Sequence, residues 1–151
     1  SLGFAYEPAS KKAFLRDHSE FDRAIAREEF LGAARAFHQI WGSGQSWDRL
    51  PDKVQRGMVE KIHLIPAAAS HVVEDAYGFC TAGLLEKIEA PVLLLQGSAS
   101  SAPMPAVISS LQSRLPYCLV KTLKGAGHMA PITHAKATAA HIQSFLKNHP
   151  V

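Results

Sequence analysis

The sequence predicts an α/β protein with about three parallel strands, flanking helices and a helical insertion. A continuous apolar run over residues 90–97, closed by Gly97, indicates a strand that is covered on both faces of a sheet. Residues 118–123 are predicted as a second strand. Helical patterns lie between these two strands and after the second, and this β-α-β-α order is typical of a parallel sheet. A third strand is predicted at residues 2–6, because a short apolar run there ends in front of Pro8.

The segment over residues 9–83 has helical patterns and no strand pattern. Ser19 is a candidate N-cap for a helix that begins at Glu20. Two further stretches repeat apolar side chains at helical spacing, with Phe30, Ala34, Phe37 and Trp41 in the first and Val54, Met58 and Ile62 in the second. Residues 67–77 are another helical candidate.

Two more helices are predicted beside the strands. The first ends at Pro116 and has Met104, Ile108, Leu111 and Leu115 on one face. The second covers residues 133–148, and we expect its apolar side chains to point inward, namely Ala135, Ile142, Phe145 and Leu146.

The composition is typical of one globular domain, since 47% of the 151 residues are hydrophobic and 19% are charged. We therefore predict a single domain over residues 1–151. Within it, residues 9–83 form a lid-like helical insertion, and residues 1–8 and 84–151 form the sheet-bearing core.

Charge and cysteine usage exclude several classes of partner. The formal net charge of +3 comes with interleaved acidic and basic residues, which argues against a nucleic-acid surface. No apolar stretch approaches the roughly 20 residues that a membrane span needs. Cys80 and Cys118 lie in apolar surroundings outside any Cys-x-x-Cys pair, so we expect two buried, reduced thiols in a cytoplasmic protein.

Two segments carry a resemblance to a known family. Residues 91–97, Pro-Val-Leu-Leu-Leu-Gln-Gly, and residues 123–131, Leu-Lys-Gly-Ala-Gly-His-Met-Ala-Pro, are separated by a helical pattern and followed by an amphipathic helix. This order resembles the C-terminal half of an α/β-hydrolase fold, whose last two sheet strands have this form. The resemblance implies that residues 1–8 are the preceding sheet strand and that the block up to Gly83 is the lid, so it covers essentially the whole chain.

The resemblance gives His128 the role of general base, which takes a proton from a serine and returns it to the leaving group. Gly125 and Gly127 would let the loop turn sharply and lift the imidazole above the sheet edge. The family's nucleophile motif, Gly-x-Ser-x-Gly, is absent, because no two of the ten glycines are four positions apart. The family's oxyanion donors come from that motif and from a still earlier loop, and neither lies in this sequence.

The acid of the family also departs from its usual place. It commonly follows the strand that ends here at Gly97, but Ser100 occupies that position and no Asp or Glu occurs in residues 90–151. Some members carry the acid at the end of the preceding strand, and Glu7 stands there. The resemblance therefore makes Glu7 the candidate acid, although a Glu-Pro pair at a strand end can be purely structural.

Other candidate site residues have two interpretations. Trp41 and Trp47, with Phe37, are candidates for lining a substrate pocket under the lid, but large apolar residues equally fit a packed core. The loop serines, which have no paired base and oxyanion hole, are interpreted as turn residues: Ser43, Ser46, Ser98, Ser100 and Ser101. His134 and His141 lack a third ligand, so no metal site is predicted, and no cofactor is expected.

Three functions are compatible with these features. We expect a truncated α/β-hydrolase-like protein that hydrolyses nothing alone and forms a homodimer by pairing the strands at residues 2–6. A first alternative is half of a split serine hydrolase, an esterase or related enzyme, that needs an N-terminal partner. A second alternative is a small-molecule binding module that uses the lid cavity, with Phe30, Phe37, Trp41 and Trp47 around it.

Overall fold

The computed structural model describes residues 8–42, 44–80 and 83–149. Within these ranges seven α-helices and two β-strands follow in the order α1 (Pro8–Ala26), α2 (Phe30–Trp41), α3 (Asp52–Lys61), α4 (Leu64–Val72), β1 (Val92–Gly97), α5 (Met104–Gln112), β2 (Cys118–Leu123), α6 (Ala130–Thr133) and α7 (Ala135–Asn148). Short 3₁₀ turns lie at Trp47–Arg49 and Leu85–Lys87. None of the helices described is long and apolar enough to cross a membrane.

The sheet is parallel, and the α/β class is confirmed. Strand β1 pairs with β2 in a register that runs from Val92 opposite Cys118 to Gly97 opposite Leu123, and helix α5 connects them. Both strands lie where the sequence predicts them, β1 within the apolar run at residues 90–97 and β2 at residues 118–123. The third predicted strand, at residues 2–6, lies outside the described residues.

Helices α1 and α2 pack closely because their shared face consists of small residues. Ala24 of α1 and Ala33, Ala34 and Ala36 of α2 are buried together with Phe21. The chain turns between these two helices at Glu28, whose φ of 58° lies in the left-handed region that ends many helices. This packing gives the helical part a core separate from that of the sheet.

Two predicted helix boundaries are wrong. The helix placed after Ser19 begins already at Pro8, because Phe14 and Phe21 are buried on either side of Ser19 and share one continuous helical face. Proline is tolerated there, since the first turn of a helix leaves its N–H groups unbonded. The helix predicted at residues 67–77 is α4, which begins at Leu64 and ends at Val72.

The sheet is less covered than the sequence predicts. Strand β1 is half-buried along Val92–Gln96, although its apolar run is typical of a strand covered on both faces. On α7, Ile142 and Leu146 are 42% and 52% exposed, so the prediction that they point inward is wrong. Cys80 is buried as expected, but Cys118 is only half-buried. The two described strands therefore leave part of the predicted inner face of α7 uncovered, whereas Ile108 of α5 is buried.

A polar network ties the segment before β1 to helix α5. The carboxylate of Asp75 accepts the backbone N–H groups of Phe79 and Cys80 at 2.9 and 2.8 Å. Arg114, two residues after the end of α5, donates to Glu86 at 2.7 Å and to the carbonyl of Cys80 at 2.8 Å. The Arg114 hydrogen bonds, with further backbone hydrogen bonds, lower the pKa of Glu86 to about 2. The irregular chain here is thus anchored by charged hydrogen bonds.

Candidate functional site

Two loops follow the carboxyl ends of β1 and β2 and are bonded to each other. The N–H of Ser98 donates to the carbonyl of Leu123 at 3.0 Å, and the N–H of Ala99 donates to the carbonyl of Ala126 at 2.8 Å. The hydroxyl of Ser98 accepts the N–H of Gly125 at 2.8 Å. These bonds fix the loop after β2, which carries the histidine, against the end of β1.

Two glycines allow this arrangement. A Cβ at Gly97 would overlap the backbone oxygens of Ala126 and Gly127, so only glycine lets the loops approach so closely. Gly125 has a φ of 75°, which confirms the sharp turn predicted there. Gly127 has room for a side chain, since a Cβ there would lie 3.5 Å from the carbonyl oxygen of Gly42, which is an ordinary contact distance. The end of α2 thus lies beside the histidine loop.

His128 stands on this loop beneath the last residue of α2. Its imidazole packs edge-on against the indole of Trp41, with ring centroids 4.9 Å apart and an angle of 65° between the planes. Despite this contact, His128 as a whole is exposed to solvent. Partial burial lowers the pKa of His128 below its usual 6.5, so the imidazole is uncharged at neutral pH and can accept a proton.

The acid expected for this base is not among the described residues. No carboxylate described here acts on the His128 imidazole, whose lowered pKa has burial as its cause. Glu7, the candidate acid, lies outside the described residues, so its role stays a prediction. Within the part of the chain that is described, no group of three or more His, Cys, Asp or Glu side chains is arranged to hold a metal ion.

A second histidine supports Trp41 from behind. His18 is 6% exposed in α1, and its Nε2 lies 2.7 Å from Nε1 of Trp41. Its Nδ1 lies 2.9 Å from the carbonyl oxygen of Phe14, one turn earlier in the same helix. Trp41 is thus held between His18 and His128. Sequence reasoning missed His18, although its spacing from Phe14 and Phe21 places it on the buried face of α1.

An open cleft of about 380 Å³ lies beside His18, between α1, α2 and the chain that follows β1. Its lining includes Asp17, Glu20 and Gln39 from the helices and Ser101 from the opposite side. The hydroxyl oxygen of Ser101 is buried and has no hydrogen-bond partner among the described residues. The cleft is therefore mixed in character, not apolar.

The structure separates the three predicted pocket residues. Trp41 contacts His128 directly. Phe37 is half-buried against the helical core, with its ring centroid 5.7 Å from Phe21 and 6.5 Å from Trp41. Trp47 is 8% exposed in the same core, and its indole N–H finds no acceptor among the described residues. A substrate-binding role for all three stays a prediction, with Trp41 nearest to the proposed base.

Comparison with protein-family models, with curated proteins and with solved structures finds no significant match to this chain.

Proposed function

We propose that this chain is the lid-and-base portion of an α/β-hydrolase-type serine hydrolase and does not hydrolyse substrates by itself. One observation carries the proposal. His128 is an uncharged imidazole on a tight loop at the carboxyl end of a parallel strand, and Trp41 from the helical part covers one side of it. Active sites of open α/β sheets lie at this edge.

The chemistry assigned to His128 is general base and acid catalysis. The neutral imidazole would take the proton of a serine hydroxyl as that oxygen attacks an ester or amide carbonyl, and would then return it to the leaving group. Glu7 is the candidate for orienting the imidazole. Trp41 would exclude water from one face of the ring, which keeps the imidazole uncharged between turnovers.

The nucleophile must come from a segment other than those described. Ser98 is engaged as the acceptor of the Gly125 N–H, and the oxygen of Ser101 is buried. Neither is hydrogen-bonded to His128, and a serine without a paired base and oxyanion hole has no special reactivity. We therefore expect no His128-dependent hydrolysis by this chain alone.

A fusion enzyme tests the proposal. The N-terminal half of an active α/β-hydrolase, with its serine elbow and oxyanion loop, is joined in front of this chain, and hydrolysis of p-nitrophenyl butyrate is followed. The fusion should hydrolyse the ester, and His128→Ala should reduce kcat/KM by about 10³-fold or more, because the serine loses its base.

His134→Ala is the matched control, since His134 follows the same loop but bonds to Thr133 at 2.9 Å instead of facing Trp41. This variant should keep its activity. A folded fusion with no esterase activity, or with activity that His128→Ala leaves unchanged, contradicts the proposed function.

We further propose that, without such a half, a second copy of the chain covers the open side of the sheet. Among the described residues, β1 pairs with β2 alone, so its other edge has no strand beside it. Unpaired edges of apolar strands favour pairing with another chain. The apolar segment at residues 2–6 is our candidate for that contact.

A further inference from the structure

We propose that His18 is a positioning residue for His128: in its neutral form it holds Trp41 against the imidazole of His128, and its protonation releases Trp41. The inference deepens the proposed function, because its catalytic consequence requires that His128 be the base. The structural part, which is a link between two histidines through one indole ring, can be tested without any activity.

The two hydrogen bonds of His18 determine which of its nitrogens carries the proton. The carbonyl of Phe14 can only accept, so Nδ1 must be the donor in the 2.9 Å contact. The indole N–H of Trp41 can only donate, so Nε2 must be the unprotonated acceptor in the 2.7 Å contact. Both contacts are satisfied together by the neutral ring with its proton on Nδ1.

Protonation of His18 is incompatible with this geometry. An imidazolium carries N–H groups on both nitrogens, so the Nε2 proton would face the N–H of Trp41 across 2.7 Å. Two donors at this distance repel each other, and the indole must move away. No comparable conflict arises at Nδ1, which donates to Phe14 in either state.

The surroundings of His18 decide at which pH this happens. The groups around it are Asp17, Glu20 and Asp22 from α1, Gln39 and Trp41 from α2, and Ser101 from the chain after β1. Burial lowers the pKa of His18 below 6.5, and this effect outweighs the bond to Phe14 and the charges of Asp22 and Asp17, which raise it. The neutral ring is therefore favoured at pH 7, and His18 takes up its proton at a lower pH than an ordinary histidine does.

The consequence for His128 follows from its contact with Trp41. The indole and imidazole rings are in edge-to-face contact, and this contact shields part of the imidazole. Since burial is what lowers the pKa of His128, removal of the indole should return that pKa towards 6.5. Acid would thus separate Trp41 from His128 and favour the charged form of His128, which cannot act as a base.

Magnetic resonance of the full chain tests the link. The indole N–H resonances of Trp41 and Trp47 and the ring resonances of His128 are followed between about pH 8 and about pH 5, with Trp47→Phe used for assignment. The Trp41 resonance should shift upfield as His18 takes up its proton and the hydrogen bond is lost. His128 should titrate with a pKa below 6.5.

Two substitutions at His18 distinguish the effect of its hydrogen bonds from the effect of its proton uptake. His18→Gln keeps an acceptor for Trp41 and a donor for Phe14 but has no proton to gain, so the Trp41 resonance should lose the pH-dependent step of His18 and follow only the titration of His128. His18→Phe removes both bonds, so the Trp41 resonance should be shifted at every pH and the pKa of His128 should rise towards 6.5. His38→Gln is the control, because His38 is equally buried but packs on Trp47.

Retention of the wild-type titration by Trp41 in His18→Gln, or an unchanged pKa of His128 in His18→Phe, overturns the inference. In the active fusion, His18→Phe should shift the acid limb of the kcat/KM profile upward, and His18→Gln should not. If the spectra change as expected but the fusion is inactive, the proposed function is refuted and the link between the two histidines stands. An active fusion whose His128 ignores His18 would refute only this inference.

Discussion

At the residue scale, the close contact between the two loops depends on glycine at position 97, because glycine has no side chain. A Cβ there would overlap backbone atoms of Ala126 and Gly127, which cannot rotate away as a side chain would. Gly97→Ala should therefore destabilise the fold by about 1–3 kcal/mol in urea unfolding, the usual cost of overpacking.

Gly57→Ala is the matched control for this prediction. Gly57 lies inside α3, where a Cβ would meet no heavy atom within 4 Å, so alanine should stabilise the helix by about 0.5–1 kcal/mol. Equal effects of the two substitutions would mean that the histidine loop does not approach β1 as closely as described.

Site residues differ in how well sequence reasoning can find them. His128 could be named as the candidate base because the local pattern of glycines and histidine carries information by itself. His18 could not, since its importance depends on Trp41, 23 positions away in sequence, at the end of another helix. A single histidine on an apolar helix face usually has only a structural role, and its tertiary contacts show whether it has another.

At the element scale, the bond between Arg114 and Glu86 predicts acid sensitivity. Because the pKa of Glu86 is lowered from 4.5 to about 2, this group stabilises the fold above its unfolded pKa of 4.5. That contribution decreases as pH falls from 4.5 through about 2. Glu86→Gln should lower the melting temperature at pH 7, and the gap to the wild type should narrow towards pH 2.

A second ion pair provides the comparison. The side chains of Lys11 and Glu74 lie 3.0 Å apart and are 35% and 57% exposed, whereas that of Arg114 is only 13% exposed. Ion pairs open to solvent on both sides contribute little to stability. Glu74→Gln should therefore leave the melting temperature nearly unchanged. If Glu74→Gln lowers the melting temperature as much as Glu86→Gln does, the hydrogen bonds of Arg114 stabilise the fold no more than a surface ion pair.

Elements were predictable where local sequence alone determines them. Both described strands lie where the sequence predicts them, and β1 coincides with a continuous apolar run, which is typical of a strand in a parallel sheet. The start of α1 was missed because Ser19 is a good cap by residue type, whereas the continuous face across Phe14 and Phe21 outweighs it. The exposure of α7 was missed because it depends on the width of the sheet, which no helix sequence encodes.

At the scale of the whole molecule, apolar side chains near the sheet are uncovered among the described residues. Leu119 of β2 is 40% exposed, and Ile142 and Leu146 of α7 are 42% and 52% exposed. Uncovered apolar surface of this kind marks interaction sites.

The edge of β1 that pairs with no described strand allows a test that distinguishes a specific dimer from nonspecific association. If residues 2–6 of two copies cover that edge, a charge in the segment should disrupt pairing, because lysine on an edge strand opposes strand addition. Phe4→Lys should convert the dimer to monomer in light scattering at micromolar concentration. Leu146→Lys, the same charge at an exposed position of α7, should leave the mass unchanged. The reverse pattern would move the interface to α7, and a monomeric wild type would mean that the chain needs no second copy to cover its sheet.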